Sequence, residues 1–100
     1  MKEDVFNQYV NRVLDLFSVT REELFSKSKK RNIVDARQLL YYLCFNRQMK
    51  LIIIKNFMTN NGYEIAHNSI INGIRVVDDK VKEDRDYQSI IKDIDKAVFI

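Results

Sequence analysis

The chain has no proline and only two glycines, Gly62 and Gly73, in 100 residues. Tight turns between strands depend on residues that tolerate positive φ or hold φ near −65°. A chain so poor in them makes few hairpins and is expected to fold as helices. The same shortage removes any glycine-rich loop that could cradle phosphates, so no nucleotide cofactor is expected. One cysteine, Cys44, and one histidine, His67, leave no intrachain disulfide and no cysteine-based zinc site.

Periodicity supports helices throughout. From Asp4 to Phe17, Val5, Phe6, Tyr9, Val10, Val13, Leu14, Leu16 and Phe17 recur at three and four, one face of a helix. Thr20 with Glu23 reads as a capping box that opens a short second helix. A third helix is expected from Ile33 to about Arg47, with Ile33, Ala36, Leu40 and Leu43 on one stripe. Asn32 is expected to cap it, with Asp35 as its partner. Met49 to Asn60 contains the run LIII, which has strand propensity. Leu51, Ile54 and Met58 keep helical spacing, however, and no hairpin partner is near, so a helix is expected. Asn60, Asn61 and Gly62 form a stop, with Gly62 suited to a left-handed position after the helix. The next helix starts between Glu64 and His67 and runs to about Lys82, on a stripe of Ile70, Ile74, Val77 and Val81. A last helix, about Tyr87 to Val98, is expected to bury Tyr87, Ile90, Ile91 and Ile94. One hundred residues at 46% apolar and 31% charged make one globular domain.

Charge is localised. Ser26 to Lys50 holds seven Lys and Arg against one Asp, a net of +6, whereas Met1–Phe25 is −2 and Leu51–Ile100 is −1. The densest part is Lys27, Lys29, Lys30 and Arg31, placed where a helix begins and where the backbone already favours an anion. Taken alone, such a run is either a solvated loop or a contact for a polyanion such as nucleic acid. The acidic run Asp78, Asp79, Glu83, Asp84 and Asp86 reads as solvated residues and helix caps, not as a metal site. No serine is singled out as a partner for His67, so no catalytic set is expected and the chain is not read as an enzyme. No stretch has the length or apolarity of a signal peptide or a membrane span, and a reducing cytoplasm is the natural compartment.

The stretch LFSKSKKRNIVDARQLLYYL resembles the C-terminal DNA-binding domain of DnaA, the bacterial chromosomal replication initiator. In that family a basic loop precedes an Arg-Gln pair at the start of a helix ending in Tyr-Leu. HNSII, His67 to Ile71, is similar to the family's His-[Ser/Thr]-Thr-Val segment. The resemblance runs from about Phe17 to Val98. It implies an all-α fold of five to six helices, Trp-repressor-like, with a helix-turn-helix and double-stranded DNA as partner. It implies that Lys27, Lys29, Lys30 and Arg31 meet the minor groove or phosphates, with Lys29 at the family's arginine position. Arg37 and Gln38 match the Arg-Gln pair, implying a phosphate-positioning role. His67, Asn68 and Ser69 match the start of the recognition helix, and Asn72 and Arg75 lie further along its outward face. Without the family, Asn and Ser are ordinary on any exposed helix.

The family's histidine follows Gly-Gly-Arg-Asp, whose Arg and Asp read bases of the DnaA box. Here Tyr63, Glu64, Ile65 and Ala66 stand before His67, so box preference is expected to change or disappear. The family's ATPase module has no counterpart in these residues. A stand-alone, phage-encoded DNA-binding module in replication or transcription control is the expectation. The rival is a protein-interaction module on a former DNA-binding fold, recognising an initiator, a polymerase or another phage or bacterial protein.

Overall fold

The computed structural model describes residues 1–98 and consists, over those residues, of six α-helices. They are α1 (Lys2–Phe17), α2 (Arg21–Leu24), α3 (Arg31–Asn46), α4 (Leu51–Asn60), α5 (His67–Glu83) and α6 (Arg85–Ala97). The expected all-helical architecture is the observed one. No helix among the described residues is long and apolar enough to cross a membrane.

α3 is the central element. It packs against α1 on one side and α5 on the other, its two most extensive partners. That position explains a difference from the sequence reading, which gave α3 a single apolar stripe. Leu39, Leu40, Tyr41, Tyr42, Leu43 and Cys44 are all buried, an unbroken run facing every direction. A helix covered on all sides carries apolar residues all round. Burial pushes the Cys44 thiol far above its ordinary range, so this cysteine behaves as a small apolar side chain.

α1 buries Val5, Phe6, Tyr9, Val10 and Val13 against this centre. α4 adds Ile54 and Met58, and its Phe57 ring lies 5.1 Å from that of Phe6. The LIII segment is helical because its apolar residues meet a core on one side only, leaving Ile52 exposed. α5 buries Ile70, Gly73 and Val77, while Ile74 and Val81 are half-buried at the stripe's margin. α6 buries Ile91 and Ile94, and Tyr87 and Ile90 are only partly covered. Its far end is held by polar contacts: Tyr9 Oη donates to Asp95 Oδ1 at 2.7 Å, and Arg47 Nη1 donates to Tyr9 Oη at 3.2 Å.

Three helix ends use one device. At α1, α3 and α4 the chain turns through a left-handed residue, Ser18 (φ 54°), Gln48 (φ 64°) and Gly62 (φ 94°). In each case the next amide reaches back across the last turn: Val19 to Leu14 O, Met49 to Cys44 O and Tyr63 to Met58 O. This is the Schellman arrangement. Only Gly62 is free of the Cβ penalty there, so a chain with almost no glycine makes two of its three such turns at a steric cost.

The expected Asn32 cap is not formed. α3 begins two residues earlier than that reading requires, with Lys30 as its N-cap and no side-chain cap. Asn32 Nδ2 instead donates to Phe17 O at 3.4 Å. Asp35 faces α5, where Lys80 Nζ lies 3.6 Å from its Oδ1, an ion pair too long to be a good hydrogen bond. The Thr20–Glu23 capping box is present with both of its bonds.

Candidate nucleic-acid interface

The basic loop between α2 and α3 is built on an alternation in its sequence. Ser26 and Ser28 turn inward, and Lys27, Lys29 and Lys30 are exposed. Ser26 Oγ donates to Glu23 O at 2.7 Å and accepts from Ser28 N at 3.2 Å, and Ser28 Oγ accepts from Lys30 N at 3.3 Å. Hydroxyls bonding the backbone two residues on are the local turns that serine favours. Arg31 belongs to the first turn of α3, not to the loop, and is exposed there.

Arg37 organises this loop from beneath. Its side chain is only 5% exposed. Nε donates to Leu24 O at 2.7 Å, Nη1 to Ser28 O at 2.8 Å, and Nη2 to Glu23 O at 3.3 Å and to Ser26 O. Two of these carbonyls belong to Glu23 and Leu24, the last residues of α2, where helical partners run out. The guanidinium also lies 4.6 Å from the centre of the Tyr63 ring, in the turn between α4 and α5. These bonds give Arg37 a structural role beneath the loop. Its donors are committed to the loop backbone, so this buried cation is compensated by carbonyl dipoles instead of an anion.

Gln38 is half-buried and stays at the surface. Lys29, Gln38, Ser69 and Asn72 line one open groove between the loop, α3 and α5, with Tyr63 and Ile65 at its side. Beside the groove, α5 approaches α3 closely at a glycine. A Cβ built on Gly73 would lie 3.0 Å from Tyr41 Cδ2 and 3.2 Å from Gln38 Cγ. Tyr41 lies beneath this contact, its hydroxyl buried with no hydrogen-bond partner and its pKa raised by burial.

Asn68, Ser69, Ile71, Asn72 and Arg75 form a second, shallow hollow along the outer face of α5. His67 is the first residue of α5 and is exposed, so it is not packed against the preceding turn. Of the eleven residues singled out in the sequence, Lys29, Arg37, Gln38, Ser69 and Asn72 are brought into one groove, and Asn68 and Arg75 join Ser69 and Asn72 on the adjoining face. Lys27, Lys30, Arg31 and His67 are exposed but line neither feature. Sequence reading missed Ser26, Ser28, Tyr63, Gly73 and Ile71. The Ser-Lys alternation and a glycine on the buried stripe of α5 were the available signals.

The helices that flank the groove start without compensation. α3 and α5 have Lys30 and Ala66 as N-caps, no side-chain cap and no acidic residue in the first turn. α4 starts in the same way at Lys50, whereas α2 has a capping box and α6 has Asp84 accepting from Asp86 N. Uncapped amides and the positive end of the dipole favour an anion at such starts.

A helix, a short turn and a second helix with a polar outer face, flanked by a basic loop, define a helix-turn-helix domain. A family model described as the bacterial DnaA protein helix-turn-helix matches residues 7–75. The chain belongs to that family. It is also 29% identical over 102 residues to the chromosomal replication initiator protein DnaA of Flavobacterium psychrophilum, covering 98% of this chain and 20% of that protein. The chain thus spans a fifth of the length of the curated relative it matches. No solved structure gives a significant match. The family match ends within α5, so α6 lies beyond it.

Proposed function

We propose that this chain binds double-stranded DNA through the basic loop and the outer face of α5, in the replication-control setting of its family. The observation that carries this reading is the groove where Lys29, Gln38, Ser69 and Asn72 meet between two uncapped helix starts. A phosphate backbone along the loop would be held by Lys27, Lys29, Lys30 and Arg31 and by α-helical amides, while α5 enters the major groove. These contacts need neither nucleotide nor metal, and no step of bond making is involved. Such a protein acts in the cytoplasm, where a bacterial chromosome lies.

Ile65 is half-buried at the side of the groove and Ala66 is exposed as the cap of α5. Neither side chain can hydrogen-bond a base edge, where a good bidentate contact supplies about 1–3 kcal/mol of discrimination. Preference for a DnaA box over scrambled duplex should therefore stay within roughly tenfold, or about 1.4 kcal/mol.

The test is a salt titration with generic duplex, using the parent and a triple variant, Lys29→Ala, Lys30→Ala and Arg31→Ala. The variant should bind all duplexes more weakly, and the log-log salt slope should shrink by up to about 0.9 for each phosphate contact removed. An unchanged slope in a variant that melts like the parent would refute the loop as the DNA-binding element. A parent whose affinity for duplex is negligible at low salt would favour the protein-interaction reading instead.

A further inference from the structure

We propose that Ile71 is a specificity-determining residue that reads the C5 methyl group of a thymine in the major groove. This rests on the DNA-binding reading above and adds a named base group to it. The buried stripe of α5 is filled by Ile70 and Val77, both fully covered, while Ile71 is 38% exposed. An isoleucine left in water contributes little to the core. Its surroundings are also unusual, because it shares its hollow with Asn68, Ser69, Asn72 and Arg75. It is the apolar member of an otherwise polar lining. It lies one turn beyond His67 and one turn before Arg75, so it sits beside the first two turns of α5, the part of such a helix that meets base edges.

Major-groove edges present donors, acceptors and one apolar group, the thymine methyl. Asn, Ser and Arg can satisfy the polar groups, and only the isoleucine matches the methyl. A protein partner is the weaker explanation of the exposed side chain, since protein interfaces form around contiguous apolar patches and this side chain is ringed by polar ones. Against cytosine, Ile71 would face a C–H in place of a methyl, so the contact would separate T·A from C·G at one position.

The experiment begins with selection of preferred duplexes from a random pool by the purified chain. Each thymine of a selected duplex is then replaced singly by deoxyuridine, which removes the methyl and leaves base pairing intact. One replacement should weaken the parent about fourfold, equivalent to about 0.8 kcal/mol at 1.4 kcal/mol per tenfold. Ile71→Ala, at an exposed position and checked by circular dichroism, should bind the thymine and uracil forms of that duplex equally. The proposal is overturned if no single replacement weakens the parent, if Ile71→Ala keeps the parent's discrimination, or if the pool yields no preferred sequence. Absence of binding to any duplex would overturn the DNA-binding reading itself, an outcome distinct from binding that ignores the methyl.

Discussion

Arg37 offers the sharpest test of how the interface is built. Replacing it by methionine keeps an unbranched apolar stem and removes every donor. Four hydrogen bonds are lost, to the carbonyls of Glu23, Leu24, Ser26 and Ser28. Bonds from a charged donor are worth about 1.5–3 kcal/mol each, yet they do not add, and desolvating the guanidinium is no longer necessary in the variant. Carbonyls of the loop can also turn toward water once released. A net loss of about 3 kcal/mol follows, the low end of what breaking a buried charged cluster costs. At about 4–8 °C per kcal/mol for a domain of this size, the melting temperature should fall by roughly 12–24 °C. Hydrogen exchange should localise the change to residues 23–30, where the amides of Ser28 and Lys30 lose their serine partners as the loop loosens. Arg37→Lys should recover part of the loss, because an ammonium supplies three donors without the planar fork. Thermal melts and exchange at low salt, without DNA, read these effects directly. The reasoning fails if Arg37→Met melts within a few degrees of the parent while its duplex-binding salt slope drops by about 0.9. That result would place the guanidinium on a phosphate.

Ile70→Ala, in the covered stripe of α5, should cost about 2–5 kcal/mol in denaturant melts, whereas Ile71→Ala should change stability by less than about 0.5 kcal/mol. Gln48→Gly should stabilise by about 1 kcal/mol, since Gln48 pays a Cβ penalty at φ 64°; an unchanged midpoint would show that the turn is not strained. Lys30→Asp supplies α3 with the missing cap and removes a loop cation, so the free protein should gain about 0.5–2 kcal/mol while duplex affinity falls. Tyr9, Tyr41 and Tyr87 all titrate above the ordinary 10.0 because burial disfavours the phenolate. A raised folded-state pKa means that their contribution is whole below pH 10 and is lost as pH rises beyond it, so urea midpoints should decline there, and Tyr41→Phe should lessen the decline.

How much was legible in the sequence follows from where each signal lies. α1, α4 and α5 were readable because an amphipathic helix writes its buried face at every third and fourth residue. Gly62 was readable because a left-handed turn after a helix selects glycine. Ser18 and Gln48 adopt the same geometry without that mark, so nothing announced them. The structural bonds of Arg37 were hidden for a related reason. Arg37 follows a basic loop and precedes a glutamine, which suits a surface pair, and its partners are backbone carbonyls nine to fourteen residues earlier that leave no side-chain pattern. Asn32 is the residue type that caps, but the chain enters the helix at Lys30. The position of the loop against α2, fixed by Arg37, decides that start, and propensity yields to it.

Several residues that break local rules lie around the groove. Lys30 and Arg31 place positive charge at the positive end of α3, and Ala66 is a poor cap for α5. Gly73 weakens a helix interior by roughly 0.5–1 kcal/mol relative to alanine. Tyr41 buries a hydroxyl with no partner. Each costs the free protein stability, and Lys30, Arg31, Ala66, Gly73 and Tyr41 belong to the groove, the helix starts that flank it or the packing beneath it. Elsewhere α2 has a complete capping box and Asp84 caps α6, although α4 starts uncapped at Lys50 and Ser18 and Gln48 are left-handed without being glycine. At the groove these costs suit a site that receives an anion, because the ligand supplies the charge and the acceptors that the fold leaves out there. Gly73 serves the same end by another route. A side chain there would crowd Tyr41 and Gln38, and the packing beside the groove that holds Lys29, Gln38, Ser69 and Asn72 would have to give. Stability and binding are thus opposed at the same residues.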